Sequence, residues 1–455
     1  MKNVALVSLG CAKNLVDSEV MLGALHQAGY GLLADPEAAD VVIVNTCGFI
    51  RPARAEAEAE LRAAVEVKRK RPETTIVAAG CYVERDRARL QALFPEVDIW
   101  TGVREFDRIA ALLVERRGPE RERTFLYGDR SPRVVSTPRG WVYVKISEGC
   151  SHRCAFCAIP SIKGRYRSRS VASIVREVEG LVAHGVKEVN LVSQDSTFFG
   201  RDVGRRDGLA ELLQRLLELK GLAWIRILYG YPEEVTDRLL ELLREPRVCP
   251  YLDIPFQHAD PQIIRAMRRG LDGTRALRLL DRIRRHVPEV VVRTALIVGF
   301  PGEGRREFRH LKRFVAEARF DHLGVFPYSF ESGTPAFGLG DRVPAEEKER
   351  RRNEIMEMQT EISLAKNKAR VGQTLDILFD RDLGGRPRVL AGRSRYQAPE
   401  VDGIVLVKVP SARPEVLHSI REVKITSAEI YDLCGTLARQ KRPFSVAPGP
   451  ASRSR

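Results

Sequence analysis

Three times in its first hundred residues the chain runs a short apolar stretch into a cysteine: VALVSL (4–9) before Cys11, DVVIVNT (40–46) before Cys47 and TTIVAAG (74–80) before Cys81. Helix-favouring sequence fills the intervals, at 18–28 and in the Ala/Glu/Arg-rich run 54–70, so the unit reads as βαβαβ around a parallel sheet. The carboxyl ends of parallel strands share one edge, and ligands bind there. Three thiols far apart in sequence are therefore expected to meet in space.

A charged, Pro/Gly-containing stretch without clear period (116–133) separates this unit from a second alternation. Strands are expected at 141–147, 188–193, 224–229, 251–256, 290–298 and 323–329, with helical patterns between them. Six β/α units imply a partial barrel rather than a closed eightfold one. The polar run 345–370 carries Glu and Arg at helical spacing and reads as a solvated connecting helix, with a coiled coil as the alternative. From 371 to 438 short β-rich runs between Gly, Pro and charged turns fit a small antiparallel barrel of the OB type. The expected class is α/β throughout its first two folded units: an N-terminal parallel domain (1–125), a linker (126–139), a partial (β/α)6 barrel (140–344), the connecting helix (345–370), the small β-barrel (371–438) and a basic, Pro/Ser-rich disordered tail (439–455).

A length of 455 residues suits three domains at about 150 residues each. No apolar run approaches the ~18 residues of a membrane span, because EVVVRTALIVGF carries Arg293 in its middle. The N-terminal VALVSLG is at the short limit of a signal-peptide core and has no small-residue cleavage site after it, so a cytoplasmic protein with no membrane contact is expected. In that reducing compartment eight cysteines point to metal ligands or catalytic thiols rather than disulfides. The net charge of +15 raises a polyanionic partner such as RNA or the ribosome.

The strongest local signal is GCSHRCAFCAIP, which spaces Cys150, Cys154 and Cys157 as C-x3-C-x2-C after the first barrel strand. Three thiolates on one loop can each take a corner of a cubic iron–sulfur cluster and leave the fourth iron open for chemistry. Structural zinc is the competing reading, with His152 as fourth ligand. A four-Cys electron carrier is disfavoured, since no fourth cysteine lies close by. Cys249 and Cys434 have no such company and read as ordinary thiols.

This motif, with Phe156 before its last cysteine and at the head of a β/α barrel, resembles the radical S-adenosylmethionine (radical SAM) superfamily. The upstream domain with three dispersed cysteines and the downstream small barrel, called TRAM, resemble its methylthiotransferase branch. Within that branch SLGCAKNLVDSE, SEGCSHRCAFCAIPSIKGRYRSR, LVSQDSTFFG, YLDIPFQHAD and GRSRYQAPEVDG resemble the RimO group, which modifies an aspartate of small-subunit ribosomal protein twelve. Relatives acting on tRNA adenosine usually carry Gln after the first cysteine; here it is Ala12. The resemblance implies two 4Fe-4S clusters, one on Cys150, Cys154 and Cys157 and one on Cys11, Cys47 and Cys81. It implies two molecules of S-adenosylmethionine per turnover, a one-electron donor such as flavodoxin or ferredoxin, and no catalytic side chain beyond the cluster ligands.

Residues at the carboxyl ends of barrel strands face the reaction chamber. For the cofactor these are Phe156 on the cysteine loop, Ser193, Gln194 and Asp195, then Gln257 and His258, then Gly299, where TALIVGFPGE resembles the superfamily's adenine-contact strand and glycine permits close approach. Gln257 and His258 read equally as a satisfied polar pair. Arg293 needs an anionic partner if buried, and the cofactor carboxylate would serve.

The expected activity replaces a C–H bond on the β-carbon of a ribosomal-protein aspartate by C–S–CH3. No side-chain base removes such a hydrogen, so the chain recruits radical chemistry and contributes binding and orientation. One rival is a tRNA adenosine methylthiotransferase; another, of a different class, is a non-enzymatic iron–sulfur electron carrier or RNA-binding scaffold. Residues 371–438 carry nine Lys/Arg and nine Asp/Glu, a balance that suits a protein partner better than RNA. That domain is expected to hold the protein substrate from a third side, so that its deletion abolishes methylthiolation and spares cofactor cleavage. KGRYRSR (163–169) and 265–285, with eight Arg against two Asp, are solvated faces or a docking patch for ribosomal RNA.

Overall fold

The computed structural model describes residues 1–115, 124–409 and 414–438. The basic tail, residues 116–123 of the charged stretch and residues 410–413 of the small β-barrel lie outside the described residues.

The first domain is a five-stranded, all-parallel sheet of β1 (Asn3–Ser8), β2 (Gly31–Leu33), β3 (Val41–Thr46), β4 (Thr75–Gly80) and β5 (Ile99–Thr101), in the order β2-β1-β3-β4-β5. The two edge strands went unread in the sequence because each is only three residues long. Every residue of β3 is buried, as expected of an apolar run covered on both faces. Helix α1 (Ala12–Gln27) covers one face through Val16, Val20, Met21 and Leu25; α2 (Arg51–Lys70) and α3 (Cys81–Leu93) cover the other through Leu61, Val65 and Leu90; α4 (Ile109–Glu115) closes the domain.

The second domain has six parallel strands: β6 (Trp141–Lys145), β9 (Glu188–Val192), β10 (Trp224–Ile227), β11 (Tyr251–Asp253), β12 (Val291–Val298) and β13 (His322–Pro327). Between the first two lie β7 (Ser147–Glu148) and β8 (Arg167–Ser168), a two-stranded ribbon flanking the cysteine loop, and α5 (Ile159–Lys163). The ladders run β10-β9-β6 and β11-β12-β13. They meet where β10 bridges Val248, with the Cys249 N–H donating to the Ile225 carbonyl at 2.8 Å. Pro250 then lacks an N–H to continue that ladder, which divides the sheet in two. Outward residues such as Val144, Leu191, Ile227, Val292 and Val298 pack beneath the helices α6 (Val171–Ala183), α7 (Gly208–Leu217), α8 (Asp237–Leu242), α9 (Pro261–Ala266), α10 (Gly273–His286) and α11 (Arg305–Ala318).

Helix α12 (Ala345–Lys368) is not solvated all round: Lys348, Arg351, Ile355, Gln359, Ile362 and Ser363 are buried along one face against the barrel. The third domain closes as β14 (Thr374–Asp382), β15 (Arg388–Arg393), β16 (Val405–Val409), β18 (Leu433–Leu437) and β17 (Ile420–Ala428), antiparallel except for the parallel β16–β18 pair.

The small barrel, expected to hold the protein substrate, packs on the large barrel. It plugs the amino ends of the large barrel's strands, and its loop 394–402 forms the chamber floor. Trp141 Nε1 donates to Asp380 at 3.1 Å, Tyr251 donates to Asp402 at 2.6 Å, and Arg226 donates to the Arg395 carbonyl at 2.8 Å. Arg393 crosses to Glu188 at 2.8 Å, with both side chains almost fully buried. Deleting 371–438 would leave Glu188 without one of its two arginines and open Trp141 and Tyr251 to water.

The first domain closes the side of the barrel. Asp17 of α1 pairs with Lys145 and, at 2.9 Å, with Lys163, both of which also face Glu148. On the far side Glu331 receives Arg54 and, at 3.0 Å, Arg85. Among the described residues no helix is long and apolar enough to cross a membrane.

Candidate functional site

The C-x3-C-x2-C loop leaves β6 through Glu148 and the left-handed Gly149, at whose Cα a side chain would strike the Arg165 carbonyl. Cys150 donates its N–H to Gly164 at 3.0 Å, Ala155 to Met267 at 2.9 Å, and Cys157 to Cys154 at 3.2 Å, so the loop is held from two sides. The Ile159 N–H points at Cys157 Sγ (3.4 Å), and the Arg269 guanidinium lies 3.7 Å from Cys154 Sγ. Such donors stabilise thiolate sulfur in an anionic cluster. Burial pushes the Cys150 thiol up to about 11 and the Cys157 thiol up to about 12. They become thiolates only when a metal displaces the protons.

Among the described residues no three His, Cys, Asp or Glu side chains stand around a single metal-ion position. A cubic cluster takes each thiolate on a different iron, so its ligand sulfurs stand further apart than those of one ion. His152 is engaged elsewhere: its Nε2 lies 2.6 Å from Asp195, and its ring stacks on Tyr231 at 3.8 Å. The loop fits a cluster better than four-ligand zinc.

The second set of thiols lies on the sheet edge of the first domain. Cys11 precedes α1, Cys47 follows β3, and Cys81 opens α3. Gly10 takes φ 91°, and a Cβ there would lie 3.0 Å from Cys47 Sγ, so glycine is what lets the Cys11 loop pass Cys47. Burial pushes Cys81 up to about 12, with Cys47 and Cys11 adding to the effect, and burial also raises Cys47. Three mutually close, exposed-to-half-buried thiols suit a cluster, and Lys163, beside Cys81, offers counter-charge.

The other expected residues divide. Gln194 reaches Glu148 through Nε2 at 3.2 Å, and its buried Oε1 has no partner, as a ligand contact would leave it. Ser193 is buried with its hydroxyl 3.2 Å from Ser196. Phe156 packs on Met267, Phe300 and Tyr328 under the loop. Gln257 sits at φ 71° on the carboxyl edge, its backbone bridging Ala295 and Ile297. His258 accepts the Asp260 N–H at 3.0 Å through Nδ1, while its buried Nε2 lies 3.5 Å from Glu303 without a hydrogen bond.

One expectation is corrected. Arg293 already has its anions, Asp253 at 3.0 Å and Asp402 of the chamber floor at 3.6 Å, so it is not free for a cofactor carboxylate. Gly299 takes φ 74°, the Lys348 stem lies 2.3 Å from a hypothetical Cβ there, and its N–H donates to Glu303 at 2.6 Å.

Sequence reading missed Arg269, Tyr229 and the buried quartet Asp17, Lys145, Glu148 and Lys163. Lys145 was visible as a charge inside the apolar run WVYVKIS, which only buried counter-charges can sustain. Burial alone would raise Glu148, but the ammonium groups of Lys145 and Lys163 outweigh it and hold the carboxyl down at about 2.

A partial β/α barrel with three thiols at its carboxyl edge, closed by a thiol-bearing parallel domain and floored by a small β-barrel, defines a radical SAM enzyme with an accessory N-terminal domain. Residues 144–315 match the radical SAM superfamily, 371–437 the TRAM domain, and 3–102 the uncharacterized protein family UPF0004. The chain is 42% identical over 453 residues to ribosomal protein uS12 methylthiotransferase RimO of Solibacter usitatus, covering 98% of this chain and 97% of that one. It is 43% identical over 433 residues to RimO of Aquifex aeolicus, covering 95% and 96%. The chain belongs to the RimO family of radical SAM methylthiotransferases. That superfamily uses a 4Fe-4S cluster and S-adenosylmethionine. Among solved structures, the radical S-adenosylmethionine methyltransferase TsrM from Kitasatospora setae aligns with a TM-score of 0.54 at 17% identity, covering 74% of this chain and 77% of that one, a likeness of fold.

Proposed function

We propose that this chain adds a methylthio group to the β-carbon of an aspartate in ribosomal protein uS12, using two 4Fe-4S clusters held by Cys150, Cys154 and Cys157 and by Cys11, Cys47 and Cys81. The observation that carries the reading is the buried quartet Asp17, Lys145, Glu148 and Lys163, which ties the start of α1 to the base of the cysteine loop and so turns the two thiol sets toward one chamber. A bound cluster on the barrel loop supplies the electron that cleaves S-adenosylmethionine, and hence the radical chemistry that an unactivated C–H bond demands.

The chain's own groups do the rest. Arg269 and the Ile159 N–H stabilise the loop thiolates. Gln194 offers its free Oε1 to the cofactor, with Phe156, Ser193 and Gln257 around it. Buried lumen walls exclude water, so that hydrogen removal and sulfur insertion meet the substrate alone. Of two S-adenosylmethionine molecules per product, one ends as methionine and 5'-deoxyadenosine carrying the abstracted hydrogen, and the other gives up its methyl group to the inserted sulfur. Reducing equivalents come from a one-electron donor of flavodoxin or ferredoxin type, in the cytoplasm. The arginine-rich face of α10, where Arg278 has no acidic partner among the described residues, supports contact with ribosomal RNA around the target protein.

The test offers anaerobically reconstituted enzyme both unmodified tRNA and uS12, alone and in the small subunit, and follows the mass increase of methylthio addition. Modification of uS12 is expected. Product on tRNA with none on uS12 would overturn the substrate assignment and favour the adenosine-modifying alternative.

A further inference from the structure

Lys13 stands in the first turn of α1, two residues after Cys11. A cation there faces the positive end of the helix, so helix stability does not account for it. Its side chain crosses to the barrel and sets Nζ 3.3 Å above the ring centroid of Tyr229. No hydrogen bond or ion pair engages that ammonium among the described residues. A ring face satisfies the charge in part and leaves the N–H donors available.

Its neighbours are spoken for. Lys145 and Lys163 are neutralised by Asp17 and Glu148, and Arg293 by Asp253 and Asp402. Among the described residues Lys13 is therefore a cation between α1 and the barrel that no carboxylate engages in a hydrogen bond or ion pair, with Asp253 and Glu148 near enough only to attract it. Tyr229, its platform, is held for that role at the carboxyl end of β10. It adopts φ 61°, a left-handed conformation that costs a bulky residue free energy. Both of its backbone groups are pinned, the N–H to Asp253 at 3.2 Å and the carbonyl by the Ser196 N–H at 2.7 Å.

We infer that Lys13 is the substrate-positioning residue of this chamber: its ammonium, braced on Tyr229, binds the carboxylate of the target aspartate and so presents the adjoining β-carbon beside the Cys11, Cys47 and Cys81 set. This inference rests on the uS12 reading above. A carboxylate entering a half-enclosed space needs a counter-charge, and the β-carbon is one bond from the group so held. A neutral adenine brings no opposite charge to the same ammonium, so the residue favours a carboxylate substrate.

The test is equilibrium binding to full-length, anaerobically reconstituted enzyme of uS12 and of uS12 with its target aspartate changed to asparagine. Wild type should bind the aspartate form about tenfold or more tightly, and Lys13→Met should bind both alike. A Lys13→Met enzyme that keeps the wild-type preference overturns the inference. Lys13→Gln is run beside it, and loss of about half the iron from both variants would assign the ammonium to the second cluster and likewise overturn it. A wild-type enzyme that modifies tRNA and binds both uS12 forms equally would overturn the functional reading itself, a result distinct from failure of Lys13.

Discussion

Changing Arg393→Met should loosen the small barrel from the large one. Arg393 is buried at the joint and donates to Glu188 at 2.8 Å, to Asp380 at 3.2 Å and to the Gln397 carbonyl at 3.2 Å, with its guanidinium near the Trp141 ring. Removing one partner of a buried ion pair costs about 3–5 kcal/mol, because the remaining charge stays desolvated. Glu188 keeps Arg226 at 2.9 Å and Asp380 keeps the Trp141 N–H, so the lower end applies, about 3 kcal/mol. Methionine preserves most of the stem packing, so the loss reports charge rather than volume. At 1.4 kcal/mol per factor of ten, the joint opens about 150-fold more often. Native-state hydrogen exchange of the Trp141 indole N–H, which donates to Asp380 across the joint, reads that opening. Arg393→Lys should recover only part, since a point charge cannot span both carboxylates. Exchange in Arg393→Met within about threefold of wild type would refute a joint held by buried charge.

Reconstituted protein should carry about eight irons, and Cys150→Ala and Cys47→Ala should each lose about half by iron analysis. The first should abolish reductive cleavage of S-adenosylmethionine, while the second should abolish methylthio product and retain cleavage. The carboxyl of Glu148 is held below its usual value and that of Glu188 is lowered as well. A depressed folded pKa stabilises above the unfolded value near 4.5, and that contribution disappears as pH falls through the folded value toward about 2. Acid should thus loosen the small barrel from the large one at the Glu188–Arg393 pair, followed by limited proteolysis, and Glu188→Gln should flatten that dependence while weakening the joint at neutral pH. If α10 meets ribosomal RNA, affinity for the small subunit should fall at least tenfold between about 50 and 200 mM salt, and Arg278→Glu should reduce the slope.

The sequence alone was enough for the longer elements and for the two groups of three cysteines at strand ends and on one loop. Apolar runs of strand length ending in cysteine admit few folds, and a parallel sheet then brings their ends together whatever the spacing. The C-x3-C-x2-C loop is local chemistry, readable without a fold. Short elements escaped, because three residues such as Gly31–Leu33 carry no period of their own. What tertiary structure alone decided was the partner of each charge. Arg293 looked destined for a ligand, and finding Asp253 and Asp402 beside it required knowing that a loop more than a hundred residues later floors the barrel. Lys13 and Lys145 are both lysines near expected strand ends; Asp17 ion-pairs with Lys145, while among the described residues Lys13 has no ion-pair partner. Coulomb interactions depend on distance in space, and a linear chain does not record that distance until its domains have packed.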